Sequence, residues 1–176
     1  AVHLHRACQE AAALAGLPLL RLLRPASDIP SEAILVASHE AAAREAFALR
    51  GSVLLTTGSR NLAPYVAEAR RTGLPLTARV LDHPESLAAC TVAGLNPSEI
   101  TAGRGPYDLE EDCALIRRCG ARVLVTKDSG EAGGLQAKVE AARRTDCKVI
   151  VVARPDTETN GFTDLDRLAK EARRFH

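Results

Sequence analysis

The sequence predicts an α/β protein with a mainly parallel sheet and helices on both of its faces. Two patterns indicate this fold class. Short runs of Val, Leu and Ile alternate along the chain with longer amphipathic segments, as in repeated strand–helix units. The short runs are apolar throughout, which is typical of parallel strands that are buried on both faces. The 176 residues suffice for one ordinary domain or for two small lobes.

Strands and helices are expected in alternation. The predicted strands are residues 17–23, 33–37, 52–57, 76–81, 100–102, 122–126 and 148–152. The predicted helices are residues 4–15, 39–49, 60–71 and 165–173, with three more that follow residues 82, 108 and 130. A turn-rich stretch at 25–30 is the predicted linker between two lobes.

Capping residues support several of these helix boundaries. Ser38 supplies a hydroxyl at the start of the second helix. Asp108 with Glu111, and likewise Asp82 with Glu85, has the spacing of a capping box, in which each side chain bonds the backbone N–H of the other residue. We therefore expect helices to begin directly after Asp82 and Asp108.

Composition excludes several classes of protein. Hydrophobic residues make up 46% and charged residues 26% of the chain, which is the profile of a folded globular protein. The net charge of +1 favours neither nucleic acid nor an acidic membrane surface as a partner. No run of residues reads as a membrane span or a signal peptide, so we expect a cytoplasmic protein. The five cysteines are scattered, which argues against a disulfide framework and a zinc site.

Polar and glycine-bearing segments follow four of the predicted strands. They are T-T-G-S-R at 56–60, G-R-G-P-Y at 103–107, T-K-D-S-G at 126–130 and R-P at 154–155. In an open parallel sheet, ligands bind beyond the carboxyl ends of the strands. The free N–H groups and the positive dipole end of a following helix make such turns suitable for anions. These segments therefore indicate an anion-binding site at one edge of the sheet.

Plainer interpretations stand beside this one. A single Gly-Ser turn is commonly only a turn, and the chain contains neither a G-x-G-x-x-G fingerprint nor a phosphate-binding lysine loop. Lys127 and Asp128 fit a local ion pair as well as a contact with a ribose hydroxyl. Glu85 fits a helix cap better than acid–base chemistry. No Ser-His-Asp arrangement can be assembled from spacing, so the residues leave the catalytic group unknown, and they indicate no metal site.

Five segments carry a resemblance to a known family. They are S-V-L-L-T-T-G-S-R-N-L, T-A-R-V-L-D-H-P-E-S-L, G-R-G-P-Y, A-R-V-L-V-T-K-D-S-G and K-V-I-V-V-A-R-P. In order and spacing they resemble the precorrin-6A reductase family. The resemblance covers nearly the whole chain, and T-K-D-S-G with the downstream A-R-P is its most specific part.

The resemblance implies a function and a set of ligands. It implies an oxidoreductase with two Rossmann-like lobes, which transfers a hydride from NADPH, or from NADH, to precorrin-6A or cobalt-precorrin-6A in vitamin B12 biosynthesis. The expected partners are the tetrapyrrole substrate and neighbouring enzymes of the corrin pathway. The predicted cofactor-binding residues are Thr57, Gly58, Ser59, Arg60, Gly105, Pro106, Lys127, Asp128, Ser129 and Gly130. The predicted substrate-binding residues are Arg79, Arg104 and Arg154, because guanidinium groups match the carboxylates of a precorrin.

The resemblance also implies a division into lobes. Residues 1–26 are the expected remnant of a first Rossmann-like lobe, residues 31–155 the second lobe, and residues 156–176 a C-terminal helix. The family's first glycine-bearing strand-turn and its D-A-T-H-P segment do not occur, and the chain contains no Met. We therefore expect an upstream part to be missing and the chain alone to be inactive.

Two alternatives from other classes remain at this stage. An enzyme of the uroporphyrinogen-III synthase type also holds a tetrapyrrole between two α/β lobes but uses no cofactor. A non-catalytic nucleotide- or anion-binding domain would bind ligand without any redox change. Binding of NADPH separates the first alternative from a reductase, and loss of the reduced nicotinamide on addition of tetrapyrrole separates the second.

Overall fold

The computed structural model describes residues 2–23, 28–128, 134–154 and 161–175. The chain divides into two compact units. The larger unit is Ser27–Pro155, and the smaller one combines Ala1–Ala26 with Asp156–His176. The helices are α1 (Val2–Ala15), α2 (His39–Ala48), α3 (Ala63–Thr72), α4 (Pro84–Val92), α5 (Leu109–Cys119), α6 (Leu135–Arg144) and α7 (Leu165–Ala172). In the described part of the chain, every helix is too short or too polar to span a bilayer.

The larger unit contains a parallel sheet of six strands. They are β1 (Ile34–Val36), β2 (Val53–Leu55), β3 (Leu76–Leu81), β4 (Ile100–Gly103), β5 (Val123–Lys127) and β6 (Lys148–Val152). Their spatial order is β1-β6-β5-β2-β3-β4, and every pair is parallel. The predicted fold class, a parallel sheet with helices on both faces, is confirmed.

The order of the strands creates a topological switch point between β2 and β5. From β2 the chain proceeds outward through β3 to β4, and from β5 it proceeds in the opposite direction to β6. Successive connections therefore leave the sheet on opposite sides at this position, which opens a crevice beyond the carboxyl ends of β2 and β5. Because all six strands are parallel, the segments that follow them lie along the same edge of the sheet.

Apolar side chains from the strands fill a core on each face of the sheet. On one face Val53, Leu55 and Val125 pack with α2 and α3. On the other face Leu54 and Leu124 pack with α5 and α6. Adjacent strand residues point to opposite faces, so a strand that is apolar at every position serves both cores. This arrangement explains why the sequence shows continuous apolar runs.

The smaller unit contains helices α1 and α7. The described side chains of both helices are exposed or half-buried, and none is fully buried. The predicted strand at 17–23 is wrong as a regular strand, because only Leu22 forms a bridge, a parallel one to Phe162. Arg21 and Leu23 exchange backbone hydrogen bonds with Phe162 at 2.8 Å and 2.7 Å.

Two predicted helix starts are also wrong. The fourth helix begins at Pro84 and its cap is His83, whose Nδ1 accepts from the Glu85 N–H at 3.4 Å. Asp82 precedes this cap, and its N–H donates to the carbonyl of Gly103 at 3.1 Å, so Glu85 cannot accept that N–H to complete a capping box. The third helix begins at Ala63 instead of residue 60, since the segment after β2 forms an extended turn first.

Candidate anion-binding site at the switch point

The segment after β2 begins the candidate site. Thr56 remains attached to the sheet, since both its N–H and its hydroxyl donate to the carbonyl of Val125, at 2.9 Å and 3.2 Å. Gly58 then turns the chain with a φ of +87°, a left-handed conformation that favours glycine. The turn directs the chain into α3, which begins a few residues later.

The hydroxyl of Thr57 is a buried polar group in this turn. Thr57 is only 6% exposed, and its Oγ1 is buried without a hydrogen-bond partner among the described residues. A buried hydroxyl without a partner costs free energy, so such a group commonly has a functional explanation. Its position at the switch point makes a ligand oxygen a suitable partner.

The segments after β5 and β6 are joined by an ion pair. Arg154 Nε lies 3.0 Å from Asp128 Oδ2, and Arg154 Nη2 lies 3.1 Å from Asp128 Oδ1. This two-point contact matches the planar fork of Arg to a carboxylate and orients both side chains. The N–H of Asp128 donates to the carbonyl of Val152 at 2.9 Å, which extends the pairing of β5 with β6. Lys127, at the end of β5, is exposed.

The segment after β4 packs over a buried ion pair. Arg79 Nη1 lies 2.6 Å from Asp112 Oδ1, and the two side chains are only 6% and 5% exposed. The Arg79 guanidinium also stacks on the Tyr107 ring at 4.0 Å. Gly105 precedes Pro106 in a cis peptide, and a β-carbon at Gly105 would lie 3.2 Å from the Tyr107 ring. Glycine therefore leaves room for the tyrosine.

His39 belongs to this edge of the sheet, although sequence reasoning did not select it. Its Nδ1 lies 2.9 Å from the Tyr65 hydroxyl and its Nε2 lies 3.1 Å from Asn61 Nδ2. Burial lowers the pKa of His39, Glu40 opposes this shift, and the charge of Lys127 adds to it. A polar residue directly after a strand, at the first position of a helix, was the available signal.

The structure brings the predicted site residues into two groups at one edge of the sheet. In the first group, Lys127 is the last residue of β5. The other members follow the neighbouring strands β2, β5 and β6; they are Thr57, Gly58, Asp128 and Arg154. The residues of the second group follow β4, on the other side of β3; they are Arg104, Gly105 and Pro106.

The remaining predicted residues stand in different surroundings. Ser59 is half-buried, and Arg60 and Arg104 are exposed. Arg79 already has an internal carboxylate partner, so its predicted contact with substrate stays a prediction. Ser129 and Gly130 lie outside the described residues. Within the described ranges, no three His, Cys, Asp or Glu side chains are grouped as metal ligands would be.

A family model described as "Precorrin-6x reductase CbiJ/CobK" matches residues 1–173. The chain belongs to this reductase family. The predicted resemblance is thereby confirmed, and so is the prediction of an oxidoreductase family of cobalamin biosynthesis.

Individual relatives carry the same description. The chain is 36% identical over 177 residues to the cobalt-precorrin-6A reductase of Salmonella typhimurium, covering 98% of this chain and 65% of that protein. It is 33% identical over 150 residues to the cobalt-precorrin-6A reductase of Priestia megaterium, covering 84% of this chain and 59% of that protein. The precorrin-6A reductase of Mycobacterium tuberculosis is 32% identical over 140 residues, covering 80% and 53%.

A solved structure supports the fold. The chain aligns with CobK precorrin-6A reductase at a TM-score of 0.70 and 24% identity, over 96% of this chain and 66% of that one. The chain thus spans about half to two thirds of the length of the curated relatives named above, with shares of 65%, 59% and 53%.

Proposed function

We propose that the chain takes part in the NAD(P)H-dependent reduction of precorrin-6A or cobalt-precorrin-6A in vitamin B12 biosynthesis. Membership of the reductase family supports this reaction class. The reaction adds a hydride from the nicotinamide and one proton to a double bond of the macrocycle, which yields the dihydro product and the oxidised cofactor. NADPH is the proposed cofactor, and NADH is the alternative.

The unpartnered hydroxyl of Thr57 is the observation that supports a ligand site here. It is buried at the switch point, beside a glycine turn that leads into α3. A phosphate or carboxylate oxygen would accept its proton and thereby satisfy the group. Lys127 adds positive charge at the end of the neighbouring strand β5. These features fit an anionic group, which both the cofactor and the tetrapyrrole carry.

The arginine residues have different roles in this proposal. Arg104 and Arg60 are exposed and are proposed to contact phosphate or carboxylate groups directly. Arg154 is held by Asp128, which fixes its orientation at the site. Arg79 is proposed to support the segment after β4 from beneath, because it is bound to Asp112 and stacked on Tyr107.

Binding measurements with Thr57→Val test the site and identify its ligand. NADPH and precorrin-6A are titrated separately, and we expect the affinity for at least one to fall about 10-fold, since a hydrogen bond to a charged group contributes roughly 1.5–3 kcal/mol. The ligand that loses affinity is the one whose anionic group lies at Thr57. Thr77→Val, the same change within β3, is the control and should bind both ligands normally.

The proposed reaction is tested by turnover. Precorrin-6A is added to NADPH and the chain, both alone and with the remaining part of a full-length relative, and oxidation of the nicotinamide is recorded. Oxidation that depends on the chain and on the tetrapyrrole supports the proposal. Binding of tetrapyrrole without any oxidation in either mixture contradicts it.

A further inference from the structure

His39 lies where the segments following three strands approach one another. It is the first residue of α2, just after β1. Its imidazole contacts Asn61, in the turn after β2, and Tyr65, on α3. The charge of Lys127, at the end of β5, is near enough to lower the pKa of His39. The half-buried ring therefore lies beside Asn61, in the same turn as Thr57, and within the influence of the Lys127 charge.

The two ring nitrogens of His39 have partners of different kinds. Nδ1 faces the hydroxyl of Tyr65, a residue that is 0% exposed, so this inner hydrogen bond satisfies a buried group. The two rings also meet edge to face at 5.9 Å. Nε2 faces the amide of Asn61, an exposed residue. The inner contact fixes the ring, and the outer nitrogen can exchange its partner.

We propose that His39 Nε2 is an additional anion-binding group, which replaces its contact with Asn61 by one to the phosphate or carboxylate held at Thr57 and Lys127. This inference rests on the proposed function, since it concerns the same site. Asn61 Nδ2 can only donate, so in the neutral ring Nε2 accepts from it and the single proton lies on Nδ1, toward the Tyr65 hydroxyl. Protonation of Nε2 turns this nitrogen into a donor, which releases the Asn61 amide and can bind an anion. The buried, unpartnered Thr57 hydroxyl is the independent indication of a ligand at this turn.

The inference predicts that anion affinity depends on pH. Burial and Lys127 keep His39 neutral to a lower pH than an exposed histidine, against the opposing charge of Glu40. Tyr65, the remaining group in contact, stays protonated because burial raises its pKa. Below the pKa of His39 the imidazolium adds a positive charge to the site, so anion affinity should rise as the pH falls. By linkage, a bound anion should raise the pKa of His39.

Calorimetric titration with simple anions tests this. Inorganic pyrophosphate and tricarballylate, a phosphate and a carboxylate source, are titrated into the chain at about pH 8 and at about pH 5. The lower value is set well below the usual histidine pKa because the pKa of His39 is lowered. The anion that carries the same kind of group as the natural ligand, phosphate or carboxylate, should bind about 10-fold more tightly at the lower pH. One added charge-assisted contact would give an increase of this size. His39→Gln should remove this gain. His83→Gln, which alters a histidine at the end of β3, should retain it.

Nuclear magnetic resonance of the imidazole gives a second readout that does not depend on affinity. Saturating anion should raise the pKa of His39. An unshifted His39 pKa, or a pH dependence that survives in His39→Gln, overturns the inference. If Thr57→Val weakens binding while His39→Gln has no effect at either pH, the inference fails and the proposed site stands. If neither ligand nor simple anion binds, both fail.

Discussion

Single residues of this protein show how buried polar groups are satisfied by contacts between elements. The Arg79–Asp112 pair joins β3 to α5, and the Tyr107 ring covers the guanidinium. Asp112 Oδ2 and the Tyr107 hydroxyl nevertheless have no partner among the described residues. The pair is therefore a sensitive position, because loss of either charge leaves the other one buried and uncompensated.

Asp112→Ala should lower the free energy of unfolding by about 3–5 kcal/mol, since it leaves the Arg79 guanidinium buried without a carboxylate. Chemical denaturation measures the change. Glu110→Ala is the matched control in the same helical turn: its contact with Arg144 is exposed and 3.3 Å long, so we expect a loss below about 1 kcal/mol. Equal losses in the two variants would contradict the structural role of the pair.

His39 should also affect the stability of the fold as the pH changes. Its pKa in the folded protein lies below the value of about 6.5 expected for the unfolded chain. Between these two values the unfolded chain binds more protons, so stability falls as the pH decreases through this range. Unfolding of the wild type and of His39→Gln, measured from about pH 8 to about pH 5, should show a smaller decrease in the variant.

Cysteine reactivity should follow burial. Burial raises the pKa of Cys147 to about 12, so this thiol is almost entirely protonated at neutral pH. Cys90 and Cys113 are buried as well, whereas Cys8 is exposed. Alkylation followed by mass spectrometry should modify Cys8 within minutes and the three buried thiols only after denaturation. Rapid labelling of Cys147 in the native protein would show that its surroundings open readily to solvent and would contradict the prediction.

At the scale of elements, sequence reasoning succeeded where a single local signal decides the outcome. Strands β3 and β6 match the predicted ranges 76–81 and 148–152 in full. The capping box of Asp108 and Glu111 is present, with both hydrogen bonds at 2.9 Å. Asp82 has the same spacing to its glutamate but forms no capping box, because its N–H, which Glu85 would have to accept, donates to Gly103 in the sheet. Long-range pairing of this kind has no signature in local sequence.

The candidate site was predictable to the same degree. The segments after β2, β4, β5 and β6 were selected because polar and glycine residues follow apolar runs, and the parallel sheet places them along one edge. The partners of Arg79 were not predictable, because Asp112 lies 33 positions away in the sequence. His39 was missed because its contacts with Asn61 and Tyr65 exist only after α2 and α3 have packed together.

The two Asp–Glu pairs with capping-box spacing, of which only Asp108–Glu111 forms the box, lead to a test at the element scale. Asp108→Ala removes the acceptor of the Glu111 N–H and should destabilise the protein by about 1 kcal/mol, whereas Asp108→Ser should retain most of the stability. Glu85→Ala should change stability by less than about 0.5 kcal/mol, since Glu85 acts only on the helix dipole. Thermal or chemical unfolding of the three variants distinguishes them, and a large effect of Glu85→Ala would restore the box at Asp82.

At the scale of the whole molecule, the two units differ in how much of each is buried. The larger unit has two apolar cores around a six-stranded sheet. Helices α1 and α7 of the smaller unit have 14 and 8 residues and no described side chain that is fully buried. Helices shorter than about 12–15 residues are marginal in water without tertiary packing. The free energy of local opening should therefore differ between the units.

Hydrogen exchange measures this difference. Amides of β2 and β5, in the centre of the sheet, should exchange only through global unfolding, whereas amides of α1 and α7 should exchange through local opening. Low concentrations of denaturant should accelerate exchange more steeply in the sheet than in α1 and α7. Global unfolding, through which the sheet exchanges, exposes more surface than local opening of a helix. Similar protection in α7 and β5 would show that the smaller unit is packed as firmly as the sheet.

The position of β1 has a consequence for synthesis of the chain. This strand is made before the other five, yet its neighbour in the sheet is β6, with Ile34 opposite Ile150. At about 5–20 residues per second, roughly 6–22 s pass on the ribosome between the appearance of the two strands. During that interval the apolar Ile-Leu-Val segment has no pairing partner in its final sheet, and it is available to chaperones and to other nascent chains. Slower translation of residues 37–147 should therefore increase aggregation during expression more than it affects the finished protein.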